Sequence, residues 1–124
     1  MKIINFSIDR CWHTIYNAHR FLLRPIGEKM EIKKTEHYVR WMAELRDERA
    51  KARISNRVFR LANGNPGDAQ PVGEGVSEMR IHYGPGYRVY YKKVGLEIVI
   101  LLIGGTKSTQ SADIALAKKL ASNF

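Results

Sequence analysis

The 124-residue chain contains one cysteine, Cys11. An intrachain disulfide and a cysteine-built zinc site are therefore excluded, which fits a reducing cytoplasm. No apolar run approaches membrane-spanning length. Asp9 and Arg10 interrupt the short stretch Ile3 to Ile8, so the N-terminus is no secretory signal. His13, His19 and His37 lack the spacing of metal ligands. Gly104-Gly105 has no lysine-serine pattern around it and reads as a strand exit rather than a phosphate cradle. Internal repeats and low-complexity tracts are absent.

Acidic residues are also scarce: 12 against 21 Lys and Arg, a formal net charge of +9. That excess favours a polyanionic partner, most simply nucleic acid or ribosomal RNA. The bland alternative is basicity for solubility alone. No basic amphipathic helix with a large aromatic face points to a membrane surface. The length suits one domain with one modest core.

Val76 to Asp113 is the most informative stretch. Ser77 to Tyr83 alternates, which places Arg80 and His82 on one face of a strand and Met79, Ile81 and Tyr83 on the other. Gly84-Pro85-Gly86 is a turn, and Tyr87 to Lys93 is a second strand with Arg88 near its start. Leu96 to Ile103 is almost purely apolar and β-branched, as a central strand covered on both faces would be. Lys107 follows at once. A sheet that gathers Arg80, His82, Arg88 and Lys107 near one edge makes a concentrated positive site, suited to a phosphodiester.

Upstream, Ile32 to Lys34 is expected to form a short strand and Thr35 to cap a helix with Tyr38, Val39, Trp41, Met42 and Leu45 in its apolar stripe. A second helix begins at Asp47-Glu48 and runs to about Ala62, with Ala50, Ile54, Val58 and Leu61 inward. Asn63 to Gly67 stops it. Arg49, Lys51, Arg53, Arg57 and Arg60 point outward, either as a solvated face or as a phosphate-tracking surface. Ser108, Thr109 or Ser111 caps a last helix with Ile114, Ala117, Leu120 and Ala121 inward. The order predicts an α+β domain: an antiparallel sheet of about four strands, two N-terminal helices and a C-terminal helix, packed on one face.

Two stretches, GVSEMRIHYGPGYRVYY and LLIGGTKSTQ followed by DIALAK, resemble the addiction-module killer proteins, the HigB-like branch of the RelE/ParE toxin superfamily. The resemblance covers roughly Met30 to Phe124. It implies a RelE-like fold at 30–124 and a type II toxin that cleaves messenger RNA on the ribosome. A neighbouring helix-turn-helix antitoxin would be its partner. Residues 1–29 lie outside the resemblance. They are expected to be an N-terminal extension, either a docking helix centred on Ile8 to Leu22 or a segment preceding a true start at Met30.

RNA cleavage through its own 2′-hydroxyl needs proton transfer and stabilisation of a phosphorane, and neither step requires a metal or cofactor. The resemblance assigns Arg88 to the scissile phosphate, His82 to acid–base work, Arg80 to electrostatic stabilisation and Lys107 to the phosphate or leaving group. Several relatives carry a tyrosine near the start of the last helix where this chain has Asp113. Tyr83 or Tyr90 is expected to stack on a base instead, beside Arg49, Arg53, Arg57 and Arg60 as RNA contacts. Each residue also has a structural reading: His82 as a satisfied surface or core residue, Arg88 beside Tyr90 as part of a structural pairing in the sheet, Lys107 as a loop lysine. The same superfamily includes gyrase-inhibiting toxins, and a non-catalytic RNA- or ribosome-binding module is the third alternative.

Overall fold

The computed structural model describes residues 3–4 and 29–124. The expectations for Met1 to Lys29, the helix centred on Ile8 to Leu22 among them, otherwise lie outside the described residues. Six strands form one sheet: β1 (Ile3–Ile4), β2 (Glu31–Thr35), β3 (Ala69–Gly73), β4 (Val76–Ile81), β5 (Tyr87–Val94) and β6 (Ile98–Thr106). Their order across the sheet is β1-β2-β6-β5-β4-β3. Among the described residues, three helices accompany them: α1 (Glu36–Glu44), α2 (Glu48–Ala62) and α3 (Gln110–Ala121), the last entered through a short 3-10 turn at Lys107–Thr109. Among the described residues, no helix is long and apolar enough to cross a membrane.

The domain is α+β, its sheet has six strands where about four were expected, and three further details differ from the expected arrangement. The sheet is mixed, because β2 pairs with β6 in parallel while β3 to β6 run antiparallel. The helix pair α1–α2 supplies the crossover that a parallel connection demands. The helices also take both faces. Tyr38 of α1 and Ala50, Ile54 and Leu61 of α2 bury against Met79, Val89, Tyr91, Val99 and Leu101. On the reverse face, Ala117, Leu120 and Ala121 of α3 bury against Val76, Tyr90, Ile100 and Leu102. A β6 that reads as continuous apolar sequence is one covered twice, so the run itself signalled two layers of helix rather than one.

The third difference is at Gly104-Gly105. These residues lie inside β6, which continues to Thr106. Glycine is required at each by a different helix. A side chain at Gly104 would overlap the Trp41 ring of α1, and one at Gly105 would overlap the Asp113 carboxylate of α3. The pair lets both helices approach the strand closely.

Local signals account for the helix starts. Thr35 Oγ1 accepts the Tyr38 N–H at 3.1 Å, and Asp47 Oδ1 accepts the Arg49 and Ala50 N–H groups at 2.9 and 3.2 Å. Thr35 is fully buried and its hydroxyl also donates to the Leu102 carbonyl at 2.6 Å. Leu102 is the residue skipped where the β5–β6 register shifts: Tyr90 faces Ile103 and Tyr91 faces Leu101. Thr35 thus ties the parallel strand to the irregular point of the central one.

Candidate functional site

The site lies on the α3 face of the sheet, at the end where β4 leads into the β4–β5 turn. Register places Arg80 opposite Arg88, and Arg88 opposite Gly105. Alternation puts Glu78 and Arg80 on the same face as Val76, which packs against α3, while Met79 and Ile81 pack toward α1 and α2. Two cations directly opposite one another on neighbouring strands repel. Here a carboxylate separates them.

That carboxylate is Glu78, completely buried. Its Oε1 stands 3.7 Å from Arg80 Nε and its Oε2 stands 3.9 Å from Arg88 Nε. Oε2 also accepts the Tyr90 hydroxyl at 3.1 Å and the Gln110 amide at 2.8 Å. Both Nε atoms and Oε1 are buried without a hydrogen bond among the described residues. Arg88 is nine-tenths buried and Arg80 about one-third exposed. Burial and then Glu78 push the Tyr90 hydroxyl's pKa well above its ordinary value, so it stays a donor.

His82 is exposed just past the end of β4, and its Nε2 lies 2.5 Å from Asp68 Oδ2. The hydrogen bond from His82, with Arg80 adding its charge, holds the Asp68 carboxyl below the usual carboxylate range. Asp68 Oδ1 stands 3.7 Å from Arg80 Nε. Arg57 places this aspartate. Its Nη1 donates to the Arg80 carbonyl at 2.5 Å and its Nη2 to the Pro66 carbonyl at 3.0 Å. The backbone completes the tie, with the Arg80 N–H donating to the Asp68 carbonyl at 2.9 Å. Lys107 is fixed at the same end of the sheet by its N–H, which donates to the Gly86 carbonyl at 2.9 Å.

The structure therefore brings Arg80, His82 and Arg88 together, with Lys107 at their end of the sheet. It also corrects three expectations. The site is not a concentration of positive charge, because Glu78, Asp68 and Asp113 balance Arg80, Arg88 and Lys107. Tyr90 is fully buried and offers no face to a base. Arg57 is committed to backbone carbonyls rather than turned outward as an RNA contact. Tyr83 has one face taken by the Arg53 guanidinium, 4.6 Å from its centroid. Arg49, Arg53 and Arg60 are exposed, but α2 lies across the sheet from the Arg80–Arg88 row. Asp113 sits over Gly105 and accepts the Thr109 hydroxyl at 2.5 Å.

Glu78 and Asp68 are the charged groups of this region that sequence reasoning missed. Glu78 was readable, since it stands two residues before Arg80 on the same face of an alternating strand. Asp68 was not, because a folded loop brings it to His82. Among the described residues, no group of three or more His, Cys, Asp and Glu side chains is arranged to hold a metal ion.

An uncharacterized protein of Haemophilus influenzae is 49% identical to this chain over 92 residues, covering 74% of this chain and 93% of that protein. The chain belongs to the same family as that protein. No protein-family model matches the chain, and neither does any solved structure. Identity at this level, over nearly the whole relative, makes the same fold the expectation for both proteins.

Proposed function

We propose that the chain is a RelE-like killer toxin of the HigB branch, a ribosome-dependent endoribonuclease acting on messenger RNA. The observation that carries the reading is the row itself: Arg80 opposite Arg88, with His82 two residues on. Because the fixed charges balance, selectivity for a phosphodiester rests on directed donors. Guanidinium forks match phosphate oxygens in a way that bulk charge does not. Arg88 and Arg80 would stabilise the phosphorane formed when the 2′-hydroxyl attacks. Asp68 occupies Nε2 of His82, which leaves Nδ1 to take the proton of the attacking 2′-hydroxyl or to give one to the leaving 5′-oxygen, solvent water serving the other transfer. Lys107 would neutralise charge on the leaving group. Arg49 and Arg53 provide sequence-independent contacts to ribosomal RNA.

The partners of this reading are the ribosome with its messenger RNA and a helix-turn-helix antitoxin encoded next door. The deciding experiment is induction in bacteria of the wild type and of Arg88→Ala combined with Lys107→Ala. Growth arrest with blocked translation, relieved in the folded double variant, is the expected result. Undiminished toxicity of that variant sinks the site, and a DNA-damage response in place of blocked translation selects the gyrase-inhibiting toxins of the same superfamily. The burial of Arg88 beside Glu78 favours one other reading, a module that binds RNA or the ribosome without cutting it. That module would be tolerated on induction.

A further inference from the structure

We infer that Glu78 is the positioning residue of the arginine pair: it orients Arg80 and Arg88 by their inner edges and so sets the geometry in which they meet a phosphate. The inference rests on the phosphate-binding reading above. The carboxylate presents one oxygen to each Nε, at 3.7 and 3.9 Å, from a side chain with no solvent exposure. The terminal nitrogens of Arg80 and Arg88 donate no hydrogen bond among the described residues. The inner edges thus face Glu78 as ion pairs without a hydrogen bond, Arg80 Nε standing equally close to Asp68 Oδ1 at 3.7 Å, while the forks stay uncommitted. Glu78 is itself held, with Oε2 receiving Tyr90 from the sheet and Gln110 from α3. A carboxylate pinned from two elements is a fixed reference for both guanidiniums.

Charge and geometry give opposite expectations here, which makes the inference testable. Removing a negative charge beneath two cations strengthens attraction to a polyanion. Removing a positioning group slows the chemical step, because a misplacement of about 1 Å costs about a hundredfold in rate. Glu78→Gln should therefore bind ribosomes at least as well as the wild type. It should cleave ribosome-bound messenger RNA about a hundredfold more slowly in a single turnover at saturating protein.

The accompanying measurement is NMR of the full chain labelled with ¹⁵N at arginine. In the wild type, the Nε–Hε resonances of Arg80 and Arg88 should be dispersed. In Glu78→Gln they should collapse toward the position of free arginine while the backbone amide spectrum is retained. A folded Glu78→Gln with wild-type arginine resonances, or with a wild-type single-turnover rate, overturns the inference. Should Glu78→Gln not fold, Tyr90→Phe combined with Gln110→Ala carries the test. It removes both hydrogen bonds to Oε2 without changing charge, and unchanged resonances in that folded variant overturn the inference equally. A wild type that does not cleave sinks the nuclease reading instead, and the arginine resonances alone then decide the role of Glu78.

Discussion

The indole of Trp41 occupies the space above Gly104 that a side chain would need, so α1 and β6 meet ring against backbone. Gly104 does not have a positive φ, and alanine suits its backbone. The cost of Gly104→Ala is then overlap alone, expected at about 1–3 kcal/mol. Urea unfolding of Gly104→Ala, Trp41→Ala and the double variant measures it as a cycle. The glycine substitution should cost little once the indole is gone. Equal costs in both backgrounds would show that the ring is not the reason for the glycine.

How much of this was legible beforehand varied with the range of the interactions involved. The α1 and α2 starts at Thr35 and Asp47 were readable because each cap is a contact within three residues. The end of α2 at Ala62 was equally local. β3 was not placed, since Ala69–Gly73 is an edge strand with Pro71 and no apolar alternation. The parallel docking of β2 beside β6 depends on the crossover through α1 and α2, and nothing within the short strand reports it. The Arg80–Arg88 row followed from alternation plus a tight turn. The charge balance at that row did not, because Asp68 and Asp113 arrive from a loop and a helix.

Thr35 carries two jobs that a methyl cannot perform. Thr35→Val keeps the volume but leaves the Tyr38 N–H and the Leu102 carbonyl without their buried partner. Loss of the cap together with an unsatisfied buried carbonyl should cost about 2–4 kcal/mol. Thr35→Ser, which keeps the hydroxyl, should recover most of that. Chemical denaturation of the three proteins orders them, and a valine variant as stable as the wild type would remove Thr35 from the account of β2 docking.

Arg57 fastens the loop that presents Asp68. Arg57→Ala removes its donors to the Arg80 and Pro66 carbonyls, and the stability loss should be about 2 kcal/mol. Lysine cannot replace a fork that reaches two carbonyls at once, so Arg57→Lys should recover only part. Hydrogen exchange is the discriminating readout. The Arg80 amide, bonded to the Asp68 carbonyl, should lose protection in both variants while the amides of β6 keep theirs. Uniform loss across the sheet would assign Arg57 to general stability instead.

Two depressed carboxyls predict the response to acid. The Ala50 N–H is the main cause at Asp47, and the His82 hydrogen bond at Asp68. A carboxyl with a lowered folded pKa binds fewer protons in the native state than in the unfolded one. Its stabilisation is present above the ordinary carboxylate value, about 4, and is lost as pH falls through the folded value. Asp47→Asn keeps a competent helix cap and Asp68→Asn keeps the shape of its side chain, but neither variant titrates. The combined variant should melt below the wild type near neutral pH, and the two melting curves should converge as the solution is acidified. Thermal unfolding followed by circular dichroism from about pH 7 to about pH 2 spans the window. Parallel curves across that range would mean that neither carboxylate is stabilised by its partners in the folded protein.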